Sequence, residues 1–243
     1  MADINSLLKD YLDHLEIEKN RSKLTRQNYE RYLRRFLDFA KVKRPEDIDL
    51  DLVRRFRLWL NRFEDKQGQS LKRNTQQYHV IAVRNFLRYL AKRDFNVLPA
   101  EKIELGRTPT RRIDLIEKED VERLLAAPSG NAFKNLRDQA ILETLYSTGL
   151  RVSELCRLNR EEASIRRGEF SIRGKGERLR LVFISERAKA ALRKYLARRQ
   201  DTDEALFVEI GRNYEKTMTR RSNLRITPRT VQRLLKYYAV KAG

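Results

Sequence analysis

The sequence predicts a mainly α protein with a small β-hairpin: a four-helix N-terminal domain, then an α+β domain. Three observations predict it. Residues 1–95 hold four apolar stripes at helical spacing, separated by polar or proline-containing breaks. Residues 96–112 contain Pro99, Gly106 and Pro109 and keep no period, as a linker does. In residues 113–243 helical stripes return, but two short β-prone runs, 169–173 and 179–184, flank Gly174-Lys175-Gly176, the signature of a hairpin.

Each element follows from its own residues. Ile4, Leu7, Leu8, Tyr11, Leu12 and Leu15 make a one-sided stripe over 3–17. Ser22 is placed to cap the second helix, whose stripe runs Tyr29, Tyr32, Leu33, Phe36, Leu37 and Ala40. Pro45 separates it from a third helix bearing Leu52, Val53, Phe56, Trp59, Leu60 and Phe63. After the polar break around Gly68, Ser70 is expected to cap a fourth helix that carries Tyr78, Ile81, Ala82, Asn85, Phe86, Tyr89 and Leu90 on one face and runs to about Arg93. In the second domain, 117–127 and 134–147 read as helices, with Ala140, Ile141, Leu142, Leu145 and Tyr146 expected to face a core. A new stripe begins at Arg151 with Val152, Leu155 and Leu158. Beyond the hairpin, Ser185 caps a helix with Ala188, Ala191, Leu192, Tyr195 and Leu196 inward, and "EALFVE" reads as a brief strand or extended piece. Thr227-Pro228 is a cap followed by proline in the first turn of a last helix through Val231, Leu234, Leu235 and Tyr238.

Composition narrows the function classes. Lys and Arg number 54 against 34 Asp and Glu, a formal net charge of +20. The first 100 residues carry +8 of this, so the excess is spread over both domains. Such a surface suits a polyanion, and nucleic acid is the expected partner. With His14, His79 and Cys156 as the whole complement of histidine and cysteine, no ordinary zinc site assembles, and neither metal nor another cofactor is expected. The single cysteine fits a reducing compartment and a small core residue. No G-x-x-x-x-G-K-[ST] phosphate loop occurs, and the carboxylates are too scattered among bases for a metal nuclease. The start shows no signal-peptide pattern and no apolar run reaches the roughly 20 residues of a membrane helix. The expected location is the cytoplasm, on the nucleoid, without membrane contact.

Taken in order, "LYSTGLRVSEL", "RGKGERLRLVFI" with its following Ser-capped helix, and "ITPRTVQRLLKYYAVKAG" resemble the catalytic domain of tyrosine recombinases, the lambda-integrase family, and within it the Xer type. "NRSKLTRQNYERYLRRFLDF" and "SLKRNTQQYHVIAVRNFLRYL" resemble the second and fourth helices of the Xer core-binding domain. The resemblance implies site-specific strand breakage by a tyrosine, through a 3′-phosphotyrosyl link and a free 5′-hydroxyl, without ATP, because the adduct keeps the bond energy. It makes Arg151 the first catalytic arginine, suited to transition-state charge because a guanidinium is always protonated and forks onto two phosphate oxygens. Glu154, one turn on, would steady it. Lys175 matches the lysine that protonates the departing 5′-oxygen.

The chain also departs from the family pattern. The His-x-x-Arg segment, a later His or Trp and the nucleophilic tyrosine have no match, and Tyr237 and Tyr238 fall in the helix before them. The reading is therefore of a recombinase lacking its C-terminal catalytic segment, which binds DNA but is inactive alone and would assemble with copies of itself when full length. The expected DNA-binding residues are Lys23, Arg26, Lys72, Arg73, Asn74, Gln76 and Gln77 at the starts of the second and fourth helices, and Arg229, Gln232 and Arg233 in the last. Lys and Arg there would position phosphates, while Asn and Gln can read base edges. Two other classes stay open: a non-catalytic DNA-binding accessory protein on the same scaffold, and a helical RNA-binding protein.

Overall fold

The computed structural model describes residues 3–65, 67–106, 115–161, 167–173, 179–210 and 224–243. The chain forms two compact units, 1–112 and 113–243.

The first unit packs α1 (Ile4–Ile17), α2 (Lys23–Ala40), α3 (Leu50–Arg62) and α4 (Arg73–Ala91). Their stripes meet in one core in which Leu33, Phe36, Phe56, Leu60, Phe86 and Leu90 are fully buried. Phe36 and Phe56 meet edge to face with ring centroids 5.0 Å apart, a favoured aromatic arrangement. Ser22 caps α2, its hydroxyl accepting from the Thr25 N–H. Ser70 does not cap α4. It lies in an isolated antiparallel bridge with Glu64, and the helix begins later, after Lys72, which provides no side-chain cap. The Gln76 amide donates to the Leu71 carbonyl at 2.8 Å, just ahead of the helix. Of the stretch 96–112, the described residues 96–106 are less of a linker than their composition suggests. Ala100 and Ile103 are buried, Ile103 in the first unit's core, and Arg84 and Arg57 donate to the Ala100 and Glu104 carbonyls.

The second unit contains α5 (Lys118–Ala126), α6 (Phe133–Thr148), α7 (Val152–Arg157), β1 (Glu169–Arg173), β2 (Leu179–Phe183), α8 (Glu186–Ala197) and α9 (Pro228–Ala242). The strands pair antiparallel, Glu169 opposite Phe183 and Arg173 opposite Leu179. α6 packs along α8, and α9 crosses α5, α6 and α7. Ile141, Leu155, Leu192, Tyr195, Phe207 and Val231 form the centre of the core. "EALFVE" makes isolated bridges rather than a strand, Ala205 with Asn159 and Val208 with Arg225, and it buries Leu206 and Phe207. Tyr146 departs from its expected place: it lies in the last turn of α6 and is 56% exposed. Ser185 and Thr227 cap α8 and α9, and Pro228 sits in the first turn of α9.

α6 also buries charge. Arg137 (3% exposed) pairs with Asp138 at 2.6 Å and donates to the Val208 carbonyl at 2.9 Å. The Tyr238 hydroxyl donates to the other oxygen of Asp138 at 3.1 Å. This pins α9 to α6 through a satisfied buried network, which is the condition for burying charge at tolerable cost.

Candidate active site and DNA-binding surface

The turn between α6 and α7 builds the site. Gly149 adopts φ +61° and gives its N–H to the Leu145 carbonyl, closing α6 in the left-handed conformation that glycine tolerates best. Leu150 is buried and anchors the turn. Arg151 is then extended as the N-cap of α7, so its side chain leaves the core while Glu154 turns back into it. Glu154 is 7% exposed and Arg151 63%.

The Glu154 carboxylate gathers three donors. Oε2 accepts the Arg151 backbone N–H at 2.9 Å, which satisfies a helix-end donor, and Oε1 accepts Nη1 of the Arg151 guanidinium at 2.9 Å. Arg180, on β2, adds Nη2 to Oε2 at 2.5 Å. Burial alone would raise the Glu154 pKa, but the Arg151 backbone and side chain and the Arg180 charge outweigh it and hold the carboxyl below its ordinary 4.5. A lowered folded-state pKa makes this a contribution that is full above 4.5 and lost as the pH falls through the folded value. The expected result is that wild type and Glu154→Gln differ in stability at neutral pH. Urea denaturation at successively lower pH should show that difference shrinking below about 4.5. A difference constant with pH would mean that the carboxylate charge contributes nothing.

Sequence reasoning missed Arg180. The signal was its phase: Val182 and Ile184 are buried and Leu181 and Phe183 exposed, so an arginine at 180 sits in register with the inward set. Lys175 lies outside the described residues. Cys156 is buried within the core, its thiol pushed up to about 11 by burial, as suits a packing residue.

The DNA-binding candidates divide. Lys23, Lys72, Arg73 and Asn74 are exposed at the starts of α2 and α4, and Arg229, Gln232 and Arg233 are exposed on the first turns of α9. Arg73, Gln76 and Gln77 share a cleft of about 450 Å³ with Arg57 and Asn61. Arg26 belongs elsewhere. It faces Glu16 at 3.0 Å, Glu30 at 3.4 Å and Asp13 at 3.5 Å, tying α1 to α2 rather than standing open to a phosphate. Gln76 spends its amide on the Leu71 carbonyl. A second basic groove, unforeseen from sequence, runs along α2 past Arg31, Arg34, Arg35 and Lys41 to Trp59 and encloses about 840 Å³. Its spacing at i, i+3 and i+4 was legible, but whether neighbouring helices would cover that face was not. Among the described residues no cluster of metal-binding side chains occurs, and no helix is long and apolar enough to cross a membrane.

Comparison with known proteins agrees with this layout. The phage integrase family matches residues 114–243, and the phage integrase N-terminal SAM-like domain matches residues 8–94. Tyrosine recombinase XerC of Thermodesulfovibrio yellowstonii is 31% identical over 100% of this chain and 78% of its own length. Tyrosine recombinase XerD of Listeria innocua is 32% identical over 79% of this chain, and 65% of its own length is covered. Among solved structures, a lambda integrase dimer bound to a COC′ core site superposes over 100% of this chain and 82% of that chain, with TM-score 0.69 and 16% identity. XerH site-specific recombinase bound to its difH substrate covers 90% of this chain and 63% of that chain, with TM-score 0.60 and 19% identity. These two show the shared fold.

Proposed function

We propose that this chain, which belongs to the phage integrase family of tyrosine recombinases, grips duplex DNA with both of its basic units and presents Arg151 to the phosphate at which a strand is exchanged. The observation that carries this is the buried Glu154 holding a largely exposed Arg151 at the mouth of the α6–α7 turn. A free surface arginine would sweep through many rotamers. One tied at backbone and side chain to a desolvated carboxylate is preorganised, and preorganised donors contribute most to transition-state stabilisation. In the full reaction Arg151 bears on the phosphate oxygens, Glu154 positions it, and Lys175 protonates the departing 5′-oxygen. The attacking group is a tyrosine that these 243 residues do not supply. Expressed as they stand, they bind DNA without cutting it, and copies of the complete enzyme meet on DNA.

The first test is binding. With +20 spread over both units, affinity for duplex DNA should fall steeply with salt, the logarithmic slope being about −0.9 per phosphate neutralised. Fluorescence anisotropy with a labelled duplex across a salt series reads the slope. A flat response, or equal affinity for an RNA hairpin, removes the DNA reading.

A further inference from the structure

We infer that Arg180 is a positioning residue for Arg151: by occupying Oε2 of Glu154 it limits Arg151 to one side-chain hydrogen bond with that carboxylate and leaves the rest of the guanidinium for a DNA phosphate. This rests on the recombinase reading above. An arginine beside a single carboxylate favours a bidentate fork, with two parallel N–H bonds to the two oxygens. Here the contact is single. Oε1 receives Nη1 of Arg151, while Oε2 is taken by the Arg151 backbone N–H and by Nη2 of Arg180. Among the described residues Arg151 has no other side-chain hydrogen bond. Remove Arg180 and a carboxylate only 7% exposed keeps one cationic partner. A buried anion in that position draws its remaining partner in as fully as geometry allows. The donors needed by phosphate then turn toward Glu154.

Charge points the same way. Two guanidiniums on one carboxylate leave a net positive site, with Arg151 63% and Arg180 39% exposed. An exposed Arg–Glu pair is worth little, but this carboxylate is desolvated and its partners fix its orientation. The contact also sets where the hairpin stands. β2 is held at Arg180 to the start of α7. Its far end is held to α6, where Ser147 Oγ donates to the Phe183 carbonyl at 3.4 Å and accepts the Ser185 N–H at 2.6 Å.

The experiment follows the arginine Nε–H resonances of the 243-residue chain by NMR while a short DNA duplex is added. In the wild type the Arg151 signal should move on binding. In Arg180→Gln that movement should be at least halved, and in Arg180→Lys, whose ammonium still reaches Oε2, it should be retained. The Glu154 carboxyl, titrated by carbon NMR, should return upward toward 4.5 in Arg180→Gln. Equal Arg151 responses in wild type and Arg180→Gln overturn the positioning role and leave the DNA reading standing. A wild-type Arg151 signal that stays still while the duplex binds removes the recombinase reading at this residue, and the proposal with it. The double variant Glu154→Gln/Arg180→Gln leaves no buried charge unpaired, so it carries the test even if the single variant unfolds. It should match Glu154→Gln alone. A smaller response in the double variant would show Arg180 acting on DNA directly.

Discussion

Replacing Arg151 with alanine is expected to lower strand cleavage by about 10²–10³-fold in an enzyme that joins these residues to a tyrosine nucleophile, while duplex affinity should change far less. The two effects separate because affinity is spread over many phosphates, whereas cleavage depends on the one whose charge grows in the transition state. The variant should fold, since Glu154 keeps the Arg151 backbone N–H and the Arg180 guanidinium. Lys175→Ala is expected to fail at a different step. If Lys175 donates the proton to the 5′-oxygen, a substrate with sulfur at that bridging position, which leaves without a proton, restores cleavage to Lys175→Ala and not to Arg151→Ala. Single-turnover cleavage of both substrates by both variants reads the distinction. Rescue of Arg151→Ala by sulfur would take Arg151 away from the non-bridging oxygens, and no rescue of a folded Lys175→Ala would take Lys175 out of the proton-donor role.

What was legible in the sequence is what is decided within a few residues. Ser22, Ser185 and Thr227-Pro228 cap their helices because a hydroxyl reaches the N–H three residues on, wherever the chain packs. Gly149 and the Arg151–Glu154 pair are equally local, one closing α6 and the other opening α7. Ser70 failed because a competing local structure won: Asp65 and Gly68 form a turn, and the chain returns as a bridge that takes Ser70 out of capping range. Tyr146 fits the apolar period of α6 but falls in its last turn, where none of the described elements covers it. The larger losses came from contacts between distant segments. Arg26 and Arg180 look alike as surface arginines in sequence. One is neutralised by Asp13 and Glu16 across a helix pair, the other drawn to Glu154 from a strand 26 residues downstream. Periodicity gives the face on which a charge lies, while its partner is fixed only by packing.

The 243 residues, expressed as they stand, are expected to form no covalent adduct with DNA. Two tyrosines of the second unit are held in its core. Tyr195 is fully buried, and Tyr238 is 3% exposed with its hydroxyl committed to Asp138. Burial first, and then the Asp138 carboxylate, raise the Tyr238 pKa and disfavour the phenolate that must attack. Tyr146 and Tyr237 are exposed, and Tyr214 lies outside the described residues. None of the three falls where the family resemblance puts the nucleophile, which follows the helix matched by Pro228–Ala242. Nor does the second unit offer a general base of the usual kind, because both histidines, His14 and His79, belong to the first. Of these, His79 is buried and bonded to the Thr75 carbonyl, which removes it from any reacting phosphate. In the proposed role Arg151 polarises a phosphodiester without attacking it, so the covalent route is expected to be closed rather than slowed. A nicked suicide substrate, which loses its 5′-hydroxyl strand after cleavage and traps any adduct, makes the measurement on denaturing gels. A band resistant to denaturation that maps to Tyr146, Tyr214 or Tyr237 would overturn the expectation and place the nucleophile within these residues. Free duplex at every time point, with the salt-sensitive complex still visible on native gels, is the expected outcome.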